Sequence, residues 1–185
     1  MKLKIFNFDV VEEILGPFKR AVIWTQGCPF RCENCMTPEG LSLDGGVDID
    51  IKYLAEKINS LNIEGITISG GEPFLQSKKL IELVKLLKNL GVIVYTGYEY
   101  EEIKNDEFLN YIDILIDGKY IEELNDGIAY RGSSNQNVYI LSDRYKDFET
   151  LYNSHKRKVL IKDGFIYGMP SKKTFESLKN GIYNK

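Results

Sequence analysis

The chain is poor in the residues that would make several common protein classes possible. It has only three cysteines in 185 residues, and an odd number crowded into one short stretch cannot make a disulfide framework. It has one histidine, His155, set in the charged stretch Ser154-His155-Lys156-Arg157-Lys158 far from the cysteines. Basic residues are not in excess: the formal net charge is −3, so the electrostatic footprint of a nucleic-acid binder is missing and no nucleic-acid partner is expected. No apolar run approaches the length that spans a bilayer, and no membrane association is expected. The opening Met1-Lys2-Leu3-Lys4-Ile5-Phe6-Asn7-Phe8-Asp9 lacks the apolar stretch and small-residue cleavage site of a leader peptide, which points to the cytoplasm. Internal repeats and low-complexity linkers are absent as well. What remains is 43 % hydrophobic, enough for one well-cored domain.

Apolar periodicity alternates between the two regular classes. Residues 20–25 read as a buried strand, 50–61 as a helix with Ile51, Leu54, Ala55, Ile58 and Leu61 on one face, and 65–69 as a strand. Residues 77–90 read as a helix starting at Ser77 and ending before Gly91; 92–96 is a strand, 100–109 a weaker helix, and 112–116 and 138–141 further strands. Such alternation implies an α/β fold with parallel strands and right-handed crossovers. Five or so units are too few for a closed eight-stranded barrel, so an open partial (β/α) barrel is expected. Its functional loops would leave the C-terminal ends of the strands. Near the end, 158–162 and 165–169 flank Asp163-Gly164, a hairpin signal, and 171–178 can form a short helix. The expected organisation is a core over 1–141 with a C-terminal hairpin and helix over 142–185 packed on the same domain.

The cysteines fall in Cys28-Pro29-Phe30-Arg31-Cys32-Glu33-Asn34-Cys35, directly after the first expected strand. Spacings of three and then two residues let one loop turn three thiolates to a common centre. Three thiolates suit a four-iron cluster with one iron left open for chemistry. The competing reading is a structural zinc site completed by His155, although zinc favours paired Cys-x2-Cys elements. Other strand ends carry Gly70-Gly71-Glu72-Pro73, Thr96-Gly97-Tyr98 and Asp117-Gly118-Lys119. The glycine pair lets a backbone approach a ligand closely, Glu72 can accept a hydrogen bond from an ammonium, and Pro73 stiffens the turn. An ordinary tight turn is the alternative. In an extended segment Asp117 and Lys119 would face the same way, to bind a ligand's hydroxyls and carboxylate or simply to form a surface ion pair. Thr96 and Tyr98 offer hydroxyl contacts or rim packing. Arg131, Ser133, Ser134, Asn135 and Gln136 make either a polar loop or a ligand-holding one. Trp24 is expected to pack beneath the cysteine loop.

Trp24-Thr25-Gln26-Gly27-Cys28-Pro29-Phe30-Arg31-Cys32-Glu33-Asn34-Cys35 resembles the cluster loop of radical S-adenosylmethionine enzymes. More narrowly, it is similar to the activating enzymes of anaerobic (class III) ribonucleoside-triphosphate reductase. Ser69-Gly70-Gly71-Glu72-Pro73, Tyr95-Thr96-Gly97-Tyr98, Asp117-Gly118-Lys119-Tyr120 and Tyr130-Arg131-Gly132-Ser133-Ser134-Asn135-Gln136 support it, so it spans roughly residues 16 to 136. The resemblance implies a radical S-adenosylmethionine-type barrel and a [4Fe-4S] cluster on Cys28, Cys32 and Cys35. It implies S-adenosyl-L-methionine as second cofactor, with Asn34, Met36, Gly70, Gly71, Glu72, Pro73, Thr96, Asp117, Lys119, Ser133 and Asn135 as contacts. The implied reaction is reductive cleavage to a 5′-deoxyadenosyl radical that leaves a glycyl radical on a partner, the anaerobic reductase. A low-potential donor such as flavodoxin or ferredoxin would supply the electron. The family pattern ends soon after the Ser-Ser-Asn-Gln segment, whereas this chain continues from Asn137 to Lys185. That departure leaves two further readings open: a related enzyme acting on another peptide or small molecule, and a non-catalytic zinc or cluster-bearing module.

Overall fold

A computed structural model describes residues 1–128, 130–148, 157–162, 165–171, 174 and 177. His155, the Asp163-Gly164 turn and most of the helix expected over 171–178 lie outside the described residues. The fold is mixed α/β. One sheet of seven strands runs in the order β3-β1-β2-β4-β5-β6-β7, and a separate two-stranded sheet pairs β8 with β9. Its elements are β1 (Lys2–Glu12), β2 (Lys19–Thr25), β3 (Val47–Asp50), α1 (Ile51–Asn59), β4 (Gly65–Gly70), α2 (Ser77–Lys85), β5 (Gly91–Tyr95), α3 (Tyr100–Ile103), β6 (Ile114–Ile116), β7 (Val138–Ile140), β8 (Leu160–Lys162) and β9 (Phe165–Tyr167).

The centre of the sheet follows the expected alternation: β2, β4, β5 and β6 are mutually parallel. The margins do not. β1 pairs antiparallel with β2 and β3, and β7 pairs antiparallel with β6. β1 is an element beyond those expected, and the alternation of Lys2 and Lys4 with buried Leu3 and Ile5 is its sequence signal. β7 antiparallels its neighbour because, among the described residues, no α-helix intervenes between β6 and β7 to carry the chain back; there is only a 3₁₀ turn, Glu122–Leu124.

Helices cover one face. Asp50 caps α1 by accepting from the backbone N–H groups of Lys52 (3.0 Å) and Tyr53 (3.2 Å). The buried stripe Ile51, Leu54, Ala55 and Ile58 then packs with Leu3, Ile23, Ile66 and Leu80. α2 is shorter than the periodicity predicts, ending at Lys85 rather than near Leu90. Asn59, at the end of α1, donates to the Leu86 carbonyl (2.9 Å) and accepts from Lys88 N–H (3.0 Å), so a side chain replaces the next helical turn. Gln76, not Ser77, is the N-terminal flanking residue, and Gly91 opens β5 instead of capping α2. The helix expected over 100–109 is a single α-turn followed by a 3₁₀ turn, Glu107–Tyr111.

The opposite face of the central strands is covered by residues that come late in the chain. Ile93, Ile114 and Ile116 pack with Tyr130, Tyr145 and Phe148, while Val22 and Trp24 pack with Ile14 and Tyr167. Below them, Arg20 is fully buried. Its guanidinium donates to the Thr67 hydroxyl (2.9 Å), the Ile66 and Gly91 carbonyls (2.6 and 2.9 Å), Glu64 and the Tyr145 hydroxyl (2.8 Å). Tyr145 in turn donates to Glu64 (2.6 Å), and burial holds its phenol far above the ordinary range. A buried cation is tolerated only when so completely paired. Tyr145→Phe should therefore lower stability by about 2 kcal/mol, a value for hydrogen bonds to charged groups. Urea unfolding followed by circular dichroism reads it, and an unchanged midpoint would show that Tyr145 adds nothing to the fold.

Candidate functional site

The parallel strands β2, β4, β5 and β6 deliver their following loops to one end of the sheet, and a pocket opens there. Cys28, Cys32 and Cys35 line it together with Met36, Gly70, Gly71, Glu72 and Thr96. The cysteine loop is held at both ends. Gly27 N–H donates to the Gly40 carbonyl (2.8 Å) and Cys28 N–H to the Leu41 carbonyl (3.1 Å), while Cys35 N–H closes a turn onto Cys32 (3.3 Å). Beneath it Gln26 is buried, and its amide donates to the Ser42 carbonyl (2.7 Å) and the Glu39 carbonyl (3.1 Å).

Burial pushes the Cys28 thiol up to about 11, and the nearby charges of Glu72, Cys35 and Cys32 push the same way. Burial raises Cys32 as well, with Cys35 adding to it. Cys28 and Cys32 thus resist ionisation until a cation takes them as thiolates. Among the described residues, no group of three or more His, Cys, Asp or Glu side chains is arranged to hold a single metal ion. A four-iron cluster presents a separate iron to each thiolate, and three half-buried thiols on one pocket wall fit that group.

The Gly70–Pro73 segment is built against the cysteine loop. Gly71 N–H donates to the Thr25 carbonyl (2.7 Å) and Glu72 N–H to the Gly27 carbonyl (2.8 Å). A Cβ on Gly71 would lie 2.3 Å from the Gly27 carbonyl oxygen, and Gly70 has φ +101° with Thr25 N 2.5 Å from where a Cβ would stand. The close backbone approach expected of this pair is thus made to the chain itself. Pro73 is buried and starts a 3₁₀ turn, Pro73–Gln76.

Glu72 is 1 % exposed and its carboxylate is heavily used. One oxygen accepts from Phe74 N–H (3.0 Å) and the Thr96 hydroxyl (2.8 Å), the other from Gly97 N–H (2.8 Å). It ties the loop after β4 to the loop after β5 and leaves little acceptor capacity toward the pocket. Burial nevertheless pushes the carboxyl up to about 7 from an ordinary 4.5. The native protein therefore keeps a proton that the unfolded chain has already released, and stability should fall as pH rises from 4.5 through about 7. Glu72→Gln, which keeps an acceptor and loses the charge, should flatten that decline. Melting temperatures of the metal-free protein at about pH 5 and about pH 7.5 check it, and an unaltered slope would rule out Glu72 as its source.

Asp117 and Lys119 do not share a face. Gly118 adopts φ +89°, which breaks the pleat on which that expectation rests. Asp117 is buried and accepts from Tyr100 N–H (2.8 Å) and from the backbone and side-chain N–H groups of Asn137 (both 3.1 Å). It braces α3 against β7. Lys119 is exposed, with its ammonium 4.9 Å from the centre of the Phe30 ring in the cysteine loop. Ser133 is fully buried and its hydroxyl accepts from Ile121 N–H (3.1 Å), while Asn135 donates to the Lys119 carbonyl (2.8 Å). Gln136 reaches the Gly118 carbonyl (2.7 Å), so the loop over 131–136 props the loop over 117–120. Asn34 adopts φ +53°, is exposed, and donates to Glu122 (2.7 Å) at the outer rim. Tyr98 packs edge-on against Phe30, with ring centres 4.9 Å apart.

Several pocket residues have no local sequence signal. Leu15, Phe30 and Tyr120 line it from three different loops, Tyr95 from the end of β5, and Ile166, Gly168 and Met169 from the C-terminal hairpin. Trp24 lines the pocket too, and its ring packs edge-on against Tyr167 with centres 5.4 Å apart.

A family model described as a 4Fe-4S single cluster domain matches residues 14–139. The chain is 32 % identical over 149 residues to the anaerobic ribonucleoside-triphosphate reductase-activating protein of Enterobacteria phage T4, covering 76 % of this chain and 94 % of that protein. It is 32 % identical over 151 residues to the protein of the same name from Haemophilus influenzae, covering 74 % and 96 %. The one from Escherichia coli is 29 % identical over 146 residues, covering 71 % and 94 %. No helix among the described residues is long and apolar enough to cross a membrane.

Proposed function

The chain belongs to the family of anaerobic ribonucleoside-triphosphate reductase-activating proteins and carries a 4Fe-4S single cluster domain; on that premise we propose that it generates a glycyl radical on such a reductase. The observation that carries this reading is the gathering of the chain's only three cysteines on one wall of a pocket at the C-terminal ends of four parallel strands. A [4Fe-4S] cluster on Cys28, Cys32 and Cys35 would supply, with S-adenosylmethionine and one electron from flavodoxin or ferredoxin, cleavage of a carbon–sulfur bond to methionine and a 5′-deoxyadenosyl radical that takes a hydrogen atom from a partner glycine.

The chain's own residues divide the remaining work. Met36, Gly70, Gly71, Glu72 and Thr96 form the wall that would receive the second cofactor, with Pro73 stiffening it. Asp117, Ser133 and Asn135 act as positioning residues, since their polar atoms hold neighbouring loops in place. Asn34 and Lys119 serve the rim, where Lys119 brings a positive charge toward Cys32. Trp24, Phe30 and Tyr95 keep water from the centre. The central strands are read as an open partial barrel over residues 1–141, with the described residues beyond 141 packed onto the same domain.

The test is anaerobic reconstitution with iron and sulfide, then dithionite and S-adenosylmethionine. Release of 5′-deoxyadenosine is expected, and its absence from fully clustered protein would overturn the reading. The presence of Ile166, Gly168 and Met169 in the pocket wall, beyond the matched residues 14–139, favours one second reading: the same chemistry on a different peptide. A glycine-centred doublet in electron paramagnetic resonance with the anaerobic reductase separates the two.

A further inference from the structure

The matched family region stops at residue 139, yet the segment Phe165–Pro170 reaches the centre of the molecule. Tyr167 is 5 % exposed: its ring packs on Trp24 and its hydroxyl donates to Asp9 on β1 (2.8 Å). Gly168 then turns the chain with φ +88°. A Cβ there would stand 2.7 Å from the Lys158 carbonyl oxygen and 2.9 Å from Ile14. The turn sends Met169 into the pocket, where its terminal methyl lies 3.0 Å from the position a Cβ on Gly132 would take. Pro170 is held from the far side, its carbonyl accepting from Asn125 (2.9 Å). The segment thus crosses from β1 to the loops after β6, spanning the side of the pocket that the cysteine loop and the β4 and β5 loops leave uncovered.

We propose that Phe165–Pro170 is an access wall, with Tyr167 as its anchor and Met169 as its gate, that closes one side of the pocket and slows the approach of bulky molecules to the cysteines from that side. The pocket it borders measures about 150 Å³. The wall can also yield. β8 is exposed along its length and only Tyr167 of β9 is buried. A two-stranded sheet with so little buried surface is marginal alone and belongs to the low-stability part of a fold. The existence of the wall is independent of the function proposed above; what passes it rests on that reading.

The chain offers its own reporter in Cys32 and Cys35, which line this pocket; Cys28 also borders a second, open pocket with Arg31 and Leu43, so labelling is read at Cys32 and Cys35 by peptide mass spectrometry. Full-length metal-free protein is kept air-free and alkylated with iodoacetamide or with a polyethylene-glycol maleimide, and the rates are compared with those in urea. The bulky reagent should be strongly slowed in the native protein. Tyr167→Ala and Asp9→Ala should accelerate it about tenfold by removing an aromatic contact and the acceptor of the Tyr167 hydroxyl. Met169→Ala should do so without loosening the anchor, and iodoacetamide should change little in all three. Melting curves identify any variant that has lost the fold, and Asp9→Ala, which leaves the pocket lining itself untouched, carries the test if Tyr167→Ala unfolds. Equal rates for the bulky reagent in native and variant proteins, or parallel acceleration of both reagents, would overturn the proposal. Expected labelling with no 5′-deoxyadenosine from loaded protein would keep the wall and remove the functional reading; product formation with indifferent labelling would do the reverse.

Discussion

Cys32→Ala, and equally Cys28→Ala or Cys35→Ala, is expected to abolish 5′-deoxyadenosine formation after anaerobic reconstitution. The reason is stoichiometric. The sequence holds no fourth cysteine, so a lost thiolate has no substitute. Two thiolates cannot hold a four-iron cluster that already leaves one iron unligated. The loss should appear first in the iron and sulfide content and in the visible absorption of the reconstituted protein, before any turnover is measured. The fold should survive, since the three thiols are half-buried and lie outside the strand core in which Ile23, Ile68 and Val94 sit. Full activity in any one of the three variants would remove that cysteine from the site; full activity in all three would refute the assignment.

Gly71→Ala should have the second largest effect, and through a different link of the chain. The added methyl would stand 2.3 Å from the Gly27 carbonyl oxygen and 2.8 Å from its carbon. Both are backbone atoms, so no side-chain rotation relieves the clash. The loop after β4 must move off the cysteine loop, breaking the bonds from Gly71 N–H to Thr25 and from Glu72 N–H to Gly27. A destabilisation of about 3 kcal/mol is expected, at the upper end for overpacking, together with loss of cluster retention. Gly127→Ala is the control. Gly127, unlike Gly71, has a positive φ, +74°, and a Cβ there meets nothing within 4 Å. It should cost only the backbone strain, about 1 kcal/mol, and leave the cluster in place. Urea midpoints and iron content on the two variants separate contact from strain; equal effects would mean that the Gly71–Gly27 approach is unimportant.

The parts legible in the sequence are those whose cause is local. Cysteine spacing is local, and so is the apolar stripe of α1 with its Asp50 cap. The central strands are legible because Ala21–Trp24, Ile66–Ile68 and Val92–Val94 are buried on both faces and read as continuous apolar runs. The parts that resist reading have remote causes. α2 ends early because Asn59, 27 residues upstream, takes over the Leu86 carbonyl. Asp117 looks like a ligand-binding acid in sequence, but its carboxylate braces α3 and Asn137 because Gly118 turns the chain at that point. Glu72 looks free to meet an ammonium, yet its oxygens are engaged by Thr96 and Gly97 from another loop. Arg20 gives no hint of burial until Glu64 and Tyr145 arrive to pair it.

From its sequence alone this chain determined a chemistry: three thiols at fixed spacing, the elements that carry them, and a parallel centre to the sheet, because thiol count and residue periodicity are properties of neighbours along the chain. Tertiary structure alone decided which polar groups face the pocket and which hold it together, and that a segment near residue 168 closes its side. Hydrogen-bond capacity and space are used up by whichever groups arrive, and only the folded chain brings Asp9, Trp24, Gly132 and Met169 to one place.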